Sequence, residues 1–457
     1  MGTSVKGDAF VSATDLQTDF FLQLMERINR RQALVAVVGL GYVGLPLAVE
    51  HGLAGFSVVG LDDNPVKVRN INQGINYISD VKDQDLKQLV DSGRLRATRD
   101  YHELTQADVI TICVPTPLTV NKEPDLSYIL SVADKIRGIM RPGQLVVLES
   151  TTYPGTTEEV LEPVLETSGL VVGTEFFLAF SPERVNPSDP VFKTRNTPKL
   201  VGGVTSRCLE AARALYAQSI TDVVPVSSPR VAELSKVFEN TYRAVNIALV
   251  NELALLCDRM QLNVWEVLEA AGTKPFGIQI FQPGPGVGGH CIPLDPFYLS
   301  WKAREYDFST RFIELAGEIN LRMPYFVLDK ITRALNEQEK SLKGARVLLL
   351  GVAYKKDIND ERESPALKVF ELLEEAKAQV TYYDPFVPRV KPHTFFSREI
   401  RSVALTEEIL AAQDCVVVTT DHSTIDYQWV VNHSRLVVDS RNATKQVTQH
   451  RERIVLL

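Results

Sequence analysis

The stretch Gly284-Pro285-Gly286-Val287-Gly288-Gly289-His290-Cys291-Ile292-Pro293-Leu294-Asp295-Pro296 sets one cysteine among glycines, with an acid four residues further on. Glycine turns through positive φ and lets another group approach without a Cβ in the way. A thiol that only fills a core stands among Val, Ile and Leu instead. Cys291 is therefore read as an accessible nucleophile. Upstream, Lys236 and Asn240 stand at i and i+4, so on a helix both point to one face, away from Val237 and Phe238. A lone helical lysine is usually a solvated charge, and this pair gains meaning only within a wider constellation.

The second chemical signal is Gly39-Leu40-Gly41-Tyr42-Val43-Gly44, a G-x-G-x-x-G after an apolar run and before a helical period. In such a turn Gly39 makes the bend, Gly41 lets backbone approach a pyrophosphate, and Gly44 lets helix pack on strand. Asp62 follows at the end of the next apolar run, where a carboxylate accepts ribose hydroxyls and repels a 2′-phosphate. NAD is expected over NADP, with Asp63 adding to the repulsion and Lys67 partly offsetting it. Val114-Pro115-Thr116-Pro117 ends a later strand at the same sheet edge, where ligands of open sheets collect, with a plain rigid turn as the equal alternative. A nucleotide cofactor and an accessible thiol together point to an oxidation through a covalent sulfur adduct.

These groups need a frame. Short β-rich runs at Leu34–Val38, Ser57–Leu61, Val109–Val114, Leu145–Leu148 and Phe176–Phe180 alternate with helical stretches such as Asp125–Met140. After Lys343-Gly344 the alternation restarts, with strands expected at Arg346–Leu350, Gln379–Tyr383, Cys415–Thr419 and Arg435–Val438. The pattern predicts an α/β protein with two Rossmann-like, doubly wound parallel sheets. Between them, 229–268 shows no strand and reads as one long helix, a spine or a dimer seam; a second helix, Arg311–Leu335, is expected to break at Pro324. The expected divisions are a tail and short amphipathic helix (1–32, with Phe21, Leu24, Met25 and Ile28), a cofactor domain (33–225), a helical middle carrying the cysteine loop (226–338) and a second sheet domain (339–457).

At 457 residues the chain exceeds one core. A net charge of −8 gives no basic field for nucleic acid or an anionic membrane, so an anionic ligand must be held locally. Cysteines at 113, 208, 257, 291 and 415 show neither zinc spacing nor C-x-x-C, so no metal is expected. Cys113, Cys257 and Cys415 lie in apolar runs and read as core. The uncharged segment 34–49 is too short to span a bilayer and holds Pro46. Asp8, Asp15 and Asp19 precede Phe20-Phe21-Leu22 without a basic leader, so a cytoplasmic chain is expected.

Gly39–Gly44, Val114–Pro117, Glu149–Thr157, Phe180–Asn186, Glu233–Glu252, Gly284–Pro296 and Tyr354–Pro365 fall in an order and spacing that resembles the nucleotide-sugar dehydrogenases, from about Leu34 to Arg441. Three strings, Glu149–Thr157, Asn240–Ile247 and Gly288–Pro293, resemble the UDP-N-acetylglucosamine 6-dehydrogenase subgroup; UDP-N-acetylmannosamine dehydrogenases share much of the His-Cys loop. UDP-glucose enzymes typically carry Ser where His290 stands. The resemblance implies oxidation of a sugar C6 alcohol to a carboxylate with two NAD per sugar. It implies Cys291 as nucleophile, Lys236 and Asn240 at the oxyanion, Asp295 and Thr151 at water, and Glu183 in hydrolysis. It further implies Glu183, Arg184, Val185, Lys236, Asn240, Phe281, Gly284, Gly288, Lys355 and Arg441 at the UDP-sugar, and Gly39, Gly41, Tyr42, Val43, Gly44, Asp62, Lys67, Pro115, Thr116, Thr151 and Glu183 at NAD. Backbone N–H groups of Gly284, Gly286 and Gly288 are expected to meet the diphosphate. The base is left open between the carboxylates.

Thr273-Lys274-Pro275 departs from the family where UDP-glucose enzymes commonly carry an arginine from a neighbouring subunit. A homodimer or higher homo-oligomer is implied. A two-electron hydroxyacid or polyol dehydrogenase shares the cofactor fold and the Lys/Asn pair but leaves the Cys291 loop idle. A non-catalytic NAD-binding scaffold is the remaining alternative.

Overall fold

The computed structural model describes residues 19–119, 121–186, 189, 191–289, 292–392, 395 and 397–457; Cys291, on which the nucleophile expectation falls, lies outside them. Two compact units are present, one with residues up to Thr116 and Leu126–Glu233, the other with Pro117–Asp125 and Leu234–Leu457.

In the first unit β1 (Leu34–Val38), β2 (Ser57–Leu61), β3 (Leu95–Thr98), β4 (Val109–Ile112), β5 (Gln144–Leu148), β6 (Phe176–Phe180), β7 (Lys199–Gly203) and β8 (Val223–Val226) form one sheet. Its order is β3-β2-β1-β4-β5-β6-β7-β8, parallel except between β6 and β7. Order reverses direction between β1 and β4, opening a crevice at the carboxyl ends of these strands. Both faces are apolar and covered, which is why β4, β5 and β6 are unbroken buried runs. The N-terminal helix Phe20–Asn29 docks on this unit: Asp19 caps it, Phe21, Leu24 and Ile28 are buried, and the Phe21 and Phe177 rings meet edge-on at 5.7 Å.

In the second unit β9 (Arg346–Leu350), β10 (Gln379–Tyr383), β11 (Cys415–Val418), β12 (Val437–Asp439) and β13 (Ile454–Leu456) pair in the order β10-β9-β11-β12-β13, all parallel. Again the order reverses, between β9 and β11, so loops after β9, β11 and β12 share one edge.

Two expectations about helices change. The long helix runs Pro229–Met260 and a separate helix, Val264–Gly272, follows, its Asn263 side chain accepting from the Trp265 N–H. The Arg311–Glu337 helix continues through Pro324 instead of breaking. Proline frees the carbonyl four residues back, that of Asn320. Gly286 packs there: a Cβ on it would lie 3.3 Å from the Asn320 oxygen and 3.0 Å from Pro365 Cβ. Pro324 is itself buried, so tertiary packing offsets the lost bond.

Candidate functional site

In the first unit the fingerprint glycines divide by cause. Gly39 has φ 93°, and a Cβ there would stand 2.4 Å from the Cys113 carbonyl oxygen. At Gly44 a Cβ would sit 1.8 Å from the Gly39 oxygen. Protein packing therefore demands both. A Cβ on Gly41 would meet nothing within 4 Å, so the chain itself leaves this cradle free. It precedes the Gly44–Leu53 helix, at the point where such a fingerprint is expected to let a pyrophosphate approach backbone.

Asp62 stands at the β2 end, its Oδ2 accepting from the Leu40 N–H (2.9 Å) and Lys67 Nζ (2.9 Å), its Oδ1 from the Asn64 N–H (3.0 Å). Lys67 thus clamps the carboxylate expected at the ribose. Tyr42 is exposed, Val43 half-buried and Pro115 exposed, while Thr116 is buried and donates to the Thr151 carbonyl at 2.7 Å. Because β4, β5 and β6 are parallel, Pro115, Thr151 and Glu183 emerge at one edge. Cys113 is only half-buried beside this turn, unlike Cys257 and Cys415, because it follows the last residue of β4.

Beneath that edge lies a cluster that motif reading did not single out. Lys199 Nζ donates to Glu149 Oε2 (2.8 Å) and the Pro182 carbonyl (3.3 Å), and lies 3.9 Å from Glu183 Oε2. The Tyr216 hydroxyl donates to the other Glu149 oxygen. Burial raises the Glu149 carboxyl above its ordinary range, against the pull of Lys199. Glu183 Oε1 accepts from the N–H groups of Arg184 (2.7 Å) and Val185 (2.9 Å). Glu233 is structural: it takes the Gly155 N–H (2.6 Å), the Thr157 N–H (2.9 Å) and the Thr157 hydroxyl (2.6 Å), fixing the turn after Thr151.

In the second unit the Lys/Asn pair finds its acid. Asn240 Nδ2 donates to Asp295 Oδ2 at 2.5 Å, and Lys236, Asn240 and Asp295 are all buried. Asp295 opens the Asp295–Ala303 helix, where the dipole favours its charge. Burial pushes its carboxyl up from 3.8 to about 6, although Lys236 and the Asn240 bond favour the ionised form. A carboxyl that titrates this close to neutrality can exchange a proton during turnover.

The glycines before Cys291 pack against protein. A Cβ on Gly284 would meet the Arg441 guanidinium at 2.4 Å; those on Gly288 and Gly289 would meet Tyr354 at 2.7 and 2.9 Å. The Gly284 N–H goes to Asn251 Oδ1 at 3.0 Å, so it is committed to the fold and the expected anion contact there does not stand. Gly284, Gly288 and Arg441, expected at one ligand, do come together with the β9 loop that holds Lys355. That loop is held from below: Val352 and Ala353 N–H groups donate to Asp384 Oδ2, and His422 Nδ1 accepts from the Asp357 N–H at 3.0 Å. The other ring nitrogen of His422 must then donate to Asp384 (3.0 Å), which fixes its tautomer. Phe281 packs edge-on to Tyr242 at 5.9 Å.

An open dinucleotide turn, an acid at the end of β2 and a second nucleotide-type sheet define an NAD-binding α/β oxidoreductase. Three domain descriptions match in turn: the NAD binding domain (residues 33–220), the central domain (230–322) and the UDP binding domain (348–446) of one family. The chain belongs to the UDP-glucose/GDP-mannose dehydrogenase family. It is 40% identical over 355 residues to the UDP-N-acetyl-D-glucosamine 6-dehydrogenase of Pseudomonas aeruginosa, covering 77% of this chain and 83% of that one. It is 35% identical over 418 residues to the UDP-N-acetyl-D-mannosamine dehydrogenase of Pyrococcus horikoshii (90% and 96% covered). The solved UDP-ManNAc dehydrogenase structure from that archaeon superposes with a TM-score of 0.83 at 33% identity, over 93% of this chain and 98% of the other. Among the described residues no helix is long and apolar enough to cross a membrane.

Proposed function

We propose that this protein oxidises the C6 hydroxyl of a UDP-N-acetylhexosamine, foremost UDP-N-acetylglucosamine, to the uronic acid. The buried Lys236–Asn240–Asp295 cluster, whose Asp295 stands four residues after Cys291 in sequence, carries the reading. Bound NAD supplies a hydride acceptor, twice per sugar. Gly41 and the helix behind it receive its pyrophosphate, and Asp62, clamped by Lys67, accepts its ribose hydroxyls.

Asp295, with Lys236 beside it, takes the proton as the C6 alcohol becomes an aldehyde. The Cys291 thiolate adds to that carbon, and Lys236 and Asn240 stabilise the oxyanion of the thiohemiacetal. Loss of a second hydride leaves a thioester. Water positioned by Thr151 and Asp295 and assisted by Glu183 then releases the carboxylate and restores the thiol. Arg184, Val185, Phe281, Gly288, Lys355 and Arg441 hold the UDP-sugar.

The gluco epimer is favoured by the three subgroup strings and by the 40% relative; the manno epimer is the second reading, favoured by the relative matched over 90% of this chain. The working unit is a homo-oligomer. Val231, Leu234, Phe238, Leu249, Leu256 and Met260 are exposed at spacings that place them on one stripe of the Pro229–Met260 helix, a pattern that self-association would cover. A panel of UDP-glucose, UDP-N-acetylglucosamine, UDP-N-acetylgalactosamine and UDP-N-acetylmannosamine, scored by acid product, tests the reading. Acid from UDP-N-acetylglucosamine at the highest kcat/KM is expected; turnover of none of the four would overturn it.

A further inference from the structure

Lys199 is 4% exposed and begins β7, yet carries an ammonium into the interior. Burying such a charge is costly unless it is paired and hydrogen-bonded. Here it meets three groups from two other strand ends. Glu149 follows β5, two residues before Thr151; Pro182 and Glu183 follow β6. The Tyr216 hydroxyl from the Ser206–Tyr216 helix locks the far Glu149 oxygen, and the Lys199 ammonium stands 5.1 Å from the Tyr216 ring centre. A fold that needed only packing here would use an apolar residue, because replacing buried ion pairs with apolar groups is often neutral or stabilising.

We propose that Lys199 is a positioning residue for acid release: braced by Glu149 and Tyr216, it fixes the Ser181–Arg184 turn through the Pro182 carbonyl and orients the Glu183 carboxylate. One Glu183 oxygen is tethered by the Arg184 and Val185 N–H groups, and Lys199 faces the other. Two anchors at opposite oxygens hold a carboxylate in a plane that one anchor leaves free to rotate. The inference rests on the hydrolytic role given to Glu183.

Lys199→Met alone leaves Glu149 buried without its cation and is prone to misfold, so the test uses the neutral pair Glu149→Gln/Lys199→Met. Glu149→Gln, Lys199→Arg, Glu183→Gln and the triple variant accompany it. Rapid mixing separates the early NADH phase from steady-state acid release. The neutral pair should slow acid release about tenfold or more relative to Glu149→Gln, on the scale of losing positioned acid–base help. Its melting temperature, its NAD affinity and the KM for UDP-sugar should stay near those of Glu149→Gln, and Lys199→Arg should recover most of the rate. The triple variant should be no slower than Glu183→Gln, because two residues acting through one carboxylate do not add. Wild-type acid release by the neutral pair, or multiplied losses in the triple variant, overturns the role of Lys199. Wild-type acid release by Glu183→Gln overturns the reading of Glu183 instead.

Discussion

Asp295→Asn should stabilise the fold at neutral pH while stopping the reaction. The buried carboxyl titrates at about 6, against 3.8 for an ordinary one. A difference of roughly two units corresponds to about 3 kcal/mol between protonation states. The sign follows from which form the fold prefers. With the folded value raised, the protonated acid's contribution is complete below pH 3.8 and is lost as pH rises through 6. Asparagine resembles the protonated acid and can still accept from Asn240, so it never incurs this loss. In urea unfolding of the second unit, wild type and variant should have similar stability near pH 4. By pH 8 the variant should lead by up to about 3 kcal/mol, less whatever the charged Lys236 loses without its partner. Acid formation should fall at least about a hundredfold, the scale of a lost general base. Parallel stability curves across pH 4–8 would refute the claim that burial strains this carboxylate.

The fingerprint glycines should separate by cause: Gly44→Ala costs about 1–3 kcal/mol of stability through its clash with the Gly39 carbonyl, read by calorimetry. Gly41→Ala should leave the melting temperature unchanged yet weaken NAD in a binding titration; unchanged affinity would contradict the pyrophosphate assignment. Cys291→Ser should abolish carboxylate formation while NAD affinity stays near wild type, and full four-electron turnover by that variant would contradict covalent catalysis. Phe238→Asp with Leu249→Asp should bring the mass measured by light scattering down to that of one chain, since both stand in the exposed stripe. An unchanged mass would remove that stripe from any interface.

Much of the fold was legible because parallel strands covered on both faces read as largely apolar runs: β1, β2, β6 and β9 fall where the sequence predicts them. So does β10, an outer and partly exposed strand, placed by its β-branched and aromatic Val380, Thr381, Tyr382 and Tyr383. The three-residue β13 was missed for its shortness, and the other missed strands lack that signature. β3 carries Arg96 and is half exposed, β7 opens on Lys199 and ends in two glycines, and β8 contains Pro225 on an outer strand. Pro324 misled because a local rule for helix breaking was overridden by the packing of Gly286 and Pro365. At the site, motifs made the cofactor turn and the Lys236–Asn240 pair readable, and the fold adds Asp295 from 55 residues away. Lys199 had no such signal. By sequence it resembles any surface lysine, and only the meeting of three strand ends reveals its partner Glu149, 50 positions earlier.

The most direct test of the covalent four-electron course is the number of NADH formed per uronic acid released, taken to completion with limiting UDP-N-acetylglucosamine. Two NADH per acid, with no free aldehyde accumulating, is the predicted result. One NADH per sugar, with the aldehyde as final product, would contradict it and leave Cys291 without a chemical role.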